Sequence, residues 1–403
     1  MINVIIDLNG IAYSEYSIFS NYGKNKDPLK TNRDQTAFIQ GLTKRIFSIL
    51  NQLPKGRVIC CIDSKSWRRK ILEEYKESRE AENGDKKGMD NETKLIFYGL
   101  LEEFSELLRR IGIHSSKVIG AEGDDLIFKW ADYFYSRGES SVIVSGDRDM
   151  NQIVKGPGEP WIVVWSNRTT INKLYTTESW IDYINESINQ ENSIFQFSLT
   201  QDDTMAKFVR ESNVAINIMN VDYFILHKIL IGDDGDDVPA VWKVLKKEKD
   251  KYIRVTDKKA IEIIEHITQK YSIKTILNAI LSRHAFNEIN KTEEEIKTEF
   301  YQLYEIIDDL AGTILRVMGD IDDTDIRKKV SERIIVNARA VYLHEDLLPF
   351  NINKAIDEDI EKSLSEVKIM PGITRGNFLK GTRFDEKVPP KNFDPFAFSI
   401  IPE

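Results

Sequence analysis

Cysteine and histidine are scarce in this sequence of 403 residues, which has two cysteines and five histidines. The cysteines are adjacent, Cys60 and Cys61, inside an apolar run, so they cannot build the disulfide framework that stabilises small secreted domains. No histidine, His114 included, has a second ligand at the spacing that zinc sites use. The sequence therefore excludes a disulfide scaffold and gives no indication of a zinc centre.

Long apolar runs are missing as well. No stretch approaches the ~18 apolar residues that predict a membrane-spanning helix. The apolar run at the N-terminus is too short for a secretory signal and ends at Asp7. We therefore expect a soluble, intracellular protein, monomeric and without a membrane partner.

An excess of basic residues is also absent, because 56 Lys and Arg face 65 Asp and Glu and the formal net charge is −9. A nucleic-acid-binding chain is usually expected to be basic. Nine of the acids form the distinct set described next, and the remaining 56 equal the basic residues in number. Any contact with a polyanion must therefore come from local basic patches.

Carboxylates at the ends of apolar, strand-like runs are the most informative feature that is present. Asp7 ends the run 2–6, Asp63 ends the run 57–62, and a pair of acids follows the run 142–144. The full set is Asp7, Asp63, Glu122, Asp124, Asp125, Asp147, Asp149, Asp233 and Asp236. Taken singly, each acid could be a helix cap or part of a solvated turn. Recurrence at four or five strand ends favours a shared site.

The pattern predicts an α/β fold. Helical periodicity at 34–52, 92–112 and 124–137 separates the apolar runs, which indicates right-handed crossovers and a parallel sheet. Ligands of such sheets bind beyond the carboxyl ends of the strands. The acids should therefore converge on one edge of the sheet.

Carboxylates gathered at one edge repel each other unless a cation neutralises them. Oxygen ligands without histidine or cysteine suit magnesium, with manganese as a substitute, rather than zinc. Two such ions ~4 Å apart would activate a water and stabilise the leaving oxygen in phosphodiester hydrolysis.

The acidic blocks resemble those of the 5′-nuclease family, in the family's order and over about the first 240 residues. The blocks are Asp7, Asp63, Glu122-Gly123-Asp124-Asp125, Asp147-Arg148-Asp149 and Gly232-Asp233-Asp234-Gly235-Asp236. That family has a PIN-like core and comprises flap endonucleases, 5′-exonuclease domains of bacterial DNA polymerases and phage RNase H enzymes. The length and the divergent later half look most like a phage enzyme.

The resemblance implies roles for the acids. One magnesium ion would be held by Asp7, Asp63, Glu122, Asp124 and Asp125, partly through water, and a second by Asp147, Asp149, Asp233 and Asp236. Asp234 and Asp237 stay open as alternatives within the two doublets. Lys76 and Arg79 match a Lys and an Arg that contact the scissile phosphate, so with Asp147 and Asp149 they are the candidate catalytic residues.

Two basic patches are candidates for nucleic-acid contact. The first, within an arch at about 64–92, comprises Lys65, Arg68, Arg69, Tyr75, Lys76 and Arg79, and Tyr75 or Trp67 could stack on an unpaired base. Residues 81–91 would order on binding. The alternative for this segment is a solvated amphipathic helix.

The second patch contains Lys243, Lys246 and Lys247 and follows Pro239. Here the family usually has a glycine-rich helix-hairpin-helix turn that grips duplex DNA, but the glycines are missing and a charged insertion is present. The alternative is a lysine-rich exposed loop.

The length allows two domains and a tail. We expect a PIN-like catalytic domain over 1–212, with a peripheral segment at 166–212, and a helical duplex-binding domain over 213–345. An extension covers 346–403. Its apolar end, 390–403, could dock on its own domain or bind a sliding clamp or single-strand-binding protein.

The sequence thus predicts a magnesium-dependent 5′-nuclease that acts on 5′ flaps, or on RNA primers annealed to DNA, in phage replication and Okazaki-fragment maturation. It would then work in the cytoplasm of an infected bacterium. Two alternatives stay open, a PIN-type ribonuclease and a catalytically silent nucleic-acid scaffold of the same fold.

Overall fold

The computed structural model describes residues 2–23, 29–53, 56–79, 89–156, 160–166, 173–177, 215–246, 251–288, 301–320, 323–365 and 377–385. The chain divides into two compact units. The first comprises Met1–Lys65, Gly84–Ile218 and Ala355–Glu403, and the second comprises Ser66–Asn83 and Met219–Lys354. The basic segment after Ser66 thus groups with the second unit, and the tail from Ala355 groups with the first, unlike the predicted boundaries.

A seven-stranded sheet forms the centre of the first unit, in the order β3-β2-β1-β4-β5-β6-β7. The strands are β1 (Ile2–Asp7), β2 (Gly56–Cys61), β3 (His114–Ser116), β4 (Ser140–Val144), β5 (Ile162–Ser166), β6 (Lys173–Thr177) and β7 (Ala215–Met219). The first five in chain order pair in parallel, and β6 runs antiparallel to β5. β6 lies in the segment expected to be peripheral, and it extends the sheet away from β1.

Four helices follow strands or precede them in this unit: α1 (Leu8–Gly23), α2 (Asn32–Gln52), α3 (Asn91–Arg109) and α4 (Gly123–Ser136). The last three confirm the predicted helices. The apolar faces of α2 and α3 bury Phe38, Phe97 and Phe104 in one cluster with Val4 and Ile6 of the sheet. The parallel sheet flanked by helices confirms the predicted PIN-like fold class.

In the described part of the second unit, five helices predominate: α5 (Val221–Ile231), α6 (Asp257–Ile267), α7 (Ile273–Glu288), α8 (Tyr301–Met318) and α9 (Thr324–Val341). The prediction of a helical second domain is confirmed, and Leu310 and Ile314 of α8 are fully buried. The charged insertion contains regular structure in its described residues. It forms an antiparallel hairpin of β8 (Lys243–Lys246) and β9 (Lys251–Arg254).

The C-terminal part of the chain adds α10 (Phe350–Ser365) and the described segment 377–385. Phe378 and Phe384 of that segment lie in the hydrophobic core of the first unit, with exposures of 1% and 2%. The segment is therefore part of the first unit and not a free tail. The candidate partner peptide, 390–403, lies outside the described residues. Within the described part of the chain, no helix is long and apolar enough to span a bilayer.

Candidate active site

Asp7 is the last residue of β1, at the carboxyl edge of the sheet, and both its carboxylate oxygens accept hydrogen bonds. The Gly10 amide donates to Asp7 Oδ1 at 2.7 Å, and the Ser145 hydroxyl donates to Asp7 Oδ2 at 2.9 Å. Gly10 fits because it has no side chain, since a Cβ there would lie 2.3 Å from Asp7 Oδ2. The neighbouring strand β4 and the first turn of α1 together fix this carboxylate.

Asp63 follows β2 and is tied to two other elements of the same edge. Its amide donates to Asn9 Oδ1 at 3.0 Å, and the Gly123 amide donates to Asp63 Oδ1 at 2.6 Å. Gly123 begins α4, so Asp63 lies at the positive end of that helix, which stabilises its negative charge. A Cβ at Gly123 would come within 2.8 Å of Asp63 Oδ1.

The acids at the start of α4 form a capping box. The Glu122 amide donates to Asp125 Oδ2 at 3.1 Å, and the Glu122 side chain accepts from the Asp125 backbone. Both are buried, whereas Asp124 is partly exposed. Two of these three carboxylates thus serve as helix caps, the alternative that the sequence left open, and they do so at the same sheet edge as Asp63.

Asp147 and Asp149 lie beyond β4, around a short 3₁₀ helix, Arg148–Ile153. Asp147 caps this helix, because its Oδ1 accepts the Asp149 amide hydrogen at 3.0 Å. The Asp147 amide donates to Ser145 Oγ at 3.0 Å. The structure therefore brings seven of the nine predicted acids to one edge of the first unit.

Asn9 and Ser145 are the site residues that sequence reasoning missed. Each directly neighbours an acidic block, in Asp7-Leu8-Asn9-Gly10 and in Ser145-Gly146-Asp147. That adjacency is the signal that could have identified them, because short polar side chains after a strand can bond to neighbouring carboxylates and amides. Both are 2% exposed, so their hydrogen bonds to Asp63 and Asp7 are made by buried side chains.

The donor set at this edge is oxygen-only and fits a hard divalent cation. Within the described residues, no three His, Cys, Asp or Glu side chains already lie together as ligands of one ion. Binding of an ion by several of these acids therefore requires bridging waters or rotation of side chains. Such water-mediated ligation is usual for magnesium.

The thiols of β2 lie behind the acids and stay protonated. Burial raises the pKa of Cys60 to about 12. Burial also raises the pKa of Cys61, with smaller contributions from the charges of Cys60, Asp7 and Asp359. These thiols are neutral at physiological pH.

The remaining predicted acids lie in the second unit, in a loop that we call the acidic loop, residues 232–237. Gly232 has φ 73°, and a Cβ there would lie 2.2 Å from the Val238 carbonyl oxygen. Asp233 Oδ1 accepts the Gly235 amide hydrogen at 2.8 Å, and its Oδ2 lies 3.0 Å from Lys228 Nζ. Asp233 thus stabilises the turn from inside.

The other acids of this loop also have partners within the second unit. Asp234 accepts two hydrogen bonds from the Arg254 guanidinium, and these lower the pKa of Asp234. Asp236 Oδ2 accepts the Tyr75 hydroxyl hydrogen at 3.0 Å and lies 3.5 Å from Lys76 Nζ. Asp233 and Asp236 stay predictions as metal ligands.

The basic segment does not form an amphipathic helix in its described part, and the arch at about 64–92 stays a prediction. Two 3₁₀ turns, Trp67–Lys70 and Glu77–Arg79, are separated by a stretch without regular helix. Trp67, Arg68 and Tyr75 are buried, at 3%, 2% and 2% exposure. Arg68 Nε donates to the Ala340 carbonyl at 3.0 Å, and its guanidinium lies over the Trp67 ring.

This burial contradicts the predicted contacts of Arg68 and Tyr75, and the stacking of Trp67, with nucleic acid. Side chains packed inside the second unit have no free face for a phosphate or a base. Lys65 is exposed, and Arg69 and Lys76 are partly exposed, so these stay candidates. The side chain of Arg79 and residues 80–88, which include most of the segment 81–91 expected to order on binding, lie outside what the structure describes.

The second basic patch lies on the hairpin. Lys243 is exposed on β8, opposite Arg254, and Lys246 pairs with Lys251 in the same register. Lys243 and Lys246 stay candidates for contact with nucleic acid. Lys247 lies outside the described residues.

Sequence comparison finds relatives for the N-terminal part of the chain. Residues 3–185 match the family "5'-3' exonuclease, N-terminal resolvase-like domain". A 5'-3' exonuclease of Buchnera aphidicola subsp. Schizaphis graminum is 30% identical over 154 residues, which cover 38% of this chain and 48% of that protein. The flap endonuclease Xni of Shewanella denitrificans is 31% identical over 99 residues, 25% of this chain and 34% of that protein.

The chain thus matches about half the length, or less, of these curated relatives. Among solved structures, the T5 D15 protein co-crystallised with metal ions is similar with a TM-score of 0.50 and 14% identity. That match covers 91% of this chain and 100% of the T5 protein. At this identity the likeness shows a shared fold.

Proposed function

We propose that this chain is a metal-dependent 5′-nuclease, because residues 3–185 match the 5'-3' exonuclease N-terminal domain family. Its substrate would be a 5′ flap, or an RNA primer, on duplex DNA. The observation that carries the proposal is the convergence of seven acids on one sheet edge, linked through Asn9, Ser145 and Gly123. The 5'-3' exonuclease and flap endonuclease activities of the relatives are consistent with it.

The residues that would hold two magnesium ions are those of the sheet edge and the acidic loop. Asp7, Asp63, Glu122, Asp124 and Asp125 would hold one, and Asp147, Asp149, Asp233 and Asp236 would hold the other. When bound, such ions supply an activated water and stabilise the leaving oxygen. The T5 D15 protein, which shares the fold, was crystallised with metal ions.

The protein's own residues contribute orientation and charge. Ser145 and Gly10 bind the Asp7 carboxylate, and Asn9 and Gly123 bind Asp63, so hydrogen bonds restrain these two candidate ligands. Lys76 and Arg79 would neutralise the charge that develops on the phosphate. Lys243 and Lys246 on the hairpin would bind the backbone of the duplex, which gives affinity without sequence preference.

Cleavage of a 5′-labelled flap by the purified full chain tests the proposal. We expect cleavage with magnesium or manganese, none in chelator, and a loss of at least ~100-fold in Asp147→Asn, because a removed charge-stabilising group typically costs that much. The matched control is Asp132→Asn, which removes the same charge from the partly exposed ion pair between Asp132 of α4 and Lys155. Unchanged cleavage by Asp147→Asn would remove Asp147 from the site.

A comparison of three substrates under one set of conditions separates the alternatives. Preference for flap DNA or an RNA·DNA hybrid supports the 5′-nuclease, and preference for single-stranded RNA would instead support a PIN-type ribonuclease. Binding without cleavage of any of the three would support a silent scaffold.

We further propose a role in phage replication, with Okazaki-fragment maturation as the process and the cytoplasm of an infected bacterium as the place. A sliding clamp or single-strand-binding protein would bind residues 390–403. Deletion of those residues should abolish stimulation by the clamp while basal cleavage is retained. Loss of folding in that variant would show that the segment packs on its own domain.

A further inference from the structure

The acidic loop holds the segment that carries Lys76 at several points, all within the second unit. The Lys76 amide donates to the Asp236 carbonyl at 2.9 Å, and the Tyr75 hydroxyl donates to Asp236 Oδ2 at 3.0 Å. The Ser78 amide donates to Asp237 Oδ2 at 2.8 Å. Residues 75–78 are therefore hydrogen-bonded to residues 236 and 237 of the acidic loop.

The Tyr75 ring anchors this arrangement in the interior of the unit. It is 2% exposed and belongs to one hydrophobic cluster with Leu72 of its own segment and with Leu226, Ile229 and Leu230 of α5. The hydroxyl leaves that cluster to reach a carboxylate, and hydrogen bonds to ionised acceptors are stronger than neutral ones. The residue directly after this anchor is Lys76.

Backbone strain marks the same contact. Lys76 and Asp237 both have φ 57°, and they are the non-glycine residues with positive φ in the described part of the chain. Such a conformation costs of order 1–3 kcal/mol and persists where the surroundings over-determine it. Both strained residues lie where the acidic loop meets the segment 75–78, so the contacts there outweigh the strain.

We propose that Tyr75 is a positioning residue for Lys76, an inference that depends on the proposed function for its catalytic meaning. The buried ring fixes the segment, and the hydroxyl ties it to Asp236, so the Lys76 ammonium is held beside that carboxylate, 3.5 Å away. A cation that neutralises developing charge must be placed within about 1 Å, because misplacement on that scale can cost ~100-fold in rate. Tyr75 thus acts from the core and contacts no nucleic acid.

Limited trypsin digestion of the metal-free, full-length protein tests the anchor without reference to activity. Tyr75→Phe keeps the ring and removes the hydroxyl. The matched control is Tyr271→Phe, because the Tyr271 hydroxyl donates to Asp309 Oδ2 at 2.7 Å elsewhere in the same unit. Cleavage after Lys76, followed by mass spectrometry, should become about tenfold faster in Tyr75→Phe, the scale of one hydrogen bond to a charged group. An equal rate in both variants overturns the proposal.

A double-mutant comparison tests whether the hydroxyl acts through Asp236. If it does, Tyr75→Phe should add little to the digestion rate of Asp236→Asn, since the two changes remove one interaction. Effects that multiply would show that Tyr75 acts through another group and would overturn the assignment.

Kinetics separate this inference from the proposed function. In a protein that cleaves flaps, Tyr75→Phe should lower kcat about tenfold with KM for the flap unchanged, because the lost interaction serves the transition state. A rise in KM alone would overturn positioning. If the wild-type protein cleaves no substrate, the proposed function fails, and the digestion rates still decide whether Tyr75 anchors Lys76.

Discussion

Ser145 donates its hydroxyl hydrogen to Asp7 Oδ2 at 2.9 Å, from the end of β4 to the end of the neighbouring β1. The same hydroxyl oxygen accepts the Asp147 amide hydrogen at 3.0 Å. One buried hydroxyl thus orients a candidate ligand and fixes the start of the turn that carries two more. Residues that hydrogen-bond to metal ligands matter because their loss typically costs about 10–100-fold in metal affinity or activity.

We predict that Ser145→Ala raises the magnesium concentration for half-maximal cleavage about tenfold. Asp7 would lose an orienting donor, and the Asp147 amide would lose its acceptor. Ser141→Ala is the control, because Ser141 is on β4, fully buried, and its hydroxyl has no hydrogen-bond partner within the described residues. A titration of cleavage against magnesium measures both, and equal shifts would contradict a specific role for Ser145.

A methyl group at Gly10 should disable the site without unfolding the protein. The added Cβ would lie 2.3 Å from Asp7 Oδ2, so the carboxylate must rotate away from its place at the strand end. We expect Gly10→Ala to lose at least ~100-fold in cleavage rate, on the scale of a misplaced catalytic group.

Gly99→Ala provides the opposite control for that substitution. Gly99 lies inside α3 with nothing within 4 Å of an added Cβ. Alanine is favoured over glycine in helix interiors by about 1 kcal/mol, so this variant should be more stable and fully active. Chemical denaturation and flap cleavage of both variants check the pair. Equal activity in the two would show that the fit around Asp7 is not required.

Phe378 should be essential to the stability of the first unit. It is 1% exposed, with its ring centroid 5.3 Å from that of Phe47 and 6.0 Å from that of Phe104. Phe378→Ala should lower the free energy of unfolding by about 3–5 kcal/mol, the usual cost of such a cavity. Phe350→Ala, at a side chain 79% exposed, should change it by less than about 0.5 kcal/mol. Urea denaturation measures both, and similar values would contradict the docking of segment 377–385.

The sheet edge could be predicted from sequence because its signals are local. An apolar run that ends at Asp7 or Asp63 predicts both a strand and the residue at which it ends. The alternation of such runs with helices predicts that the strands are parallel. The capping role of Asp125 could be expected in kind, but spacing alone does not decide between a cap and a ligand. The structure shows that Asp125 is a helix cap and still lies at the sheet edge.

Other features depend on contacts between distant parts of the chain. Arg68 and Tyr75 occur in a charged segment, and sequence pattern does not show that their long side chains pack inside a helical unit. Phe384 lies in a segment without periodicity, yet Gln40 donates to its carbonyl oxygen at 3.0 Å. The hairpin β8–β9 is short and lysine-rich, a composition that predicts a loop as readily as strands.

The buried thiols of β2 predict that stability falls in alkali. The pKa of Cys60 is raised from 9.0 to about 12 by burial, and that of Cys61 is raised as well. Between about pH 9 and 12 the unfolded chain releases thiol protons that the folded chain keeps, so the unfolded state gains stability as pH rises. The stabilisation is complete below pH 9 and is lost by up to ~1.4 kcal/mol per pH unit for each thiol.

Cys60→Ala isolates this contribution from other groups that titrate in alkali, such as Tyr342, whose pKa is raised to about 12. The substitution removes one of the two thiols, so the free energy of unfolding should fall less steeply between pH 9 and 11 than in the wild type. The difference in slope should approach ~1.4 kcal/mol per pH unit. Urea denaturation at several pH values measures it. The absolute stability of the variant does not matter, because only the slope reports the thiol. Parallel pH profiles would show that Cys60 ionises in the folded protein as it does in the unfolded chain, contrary to its burial beneath the acidic edge.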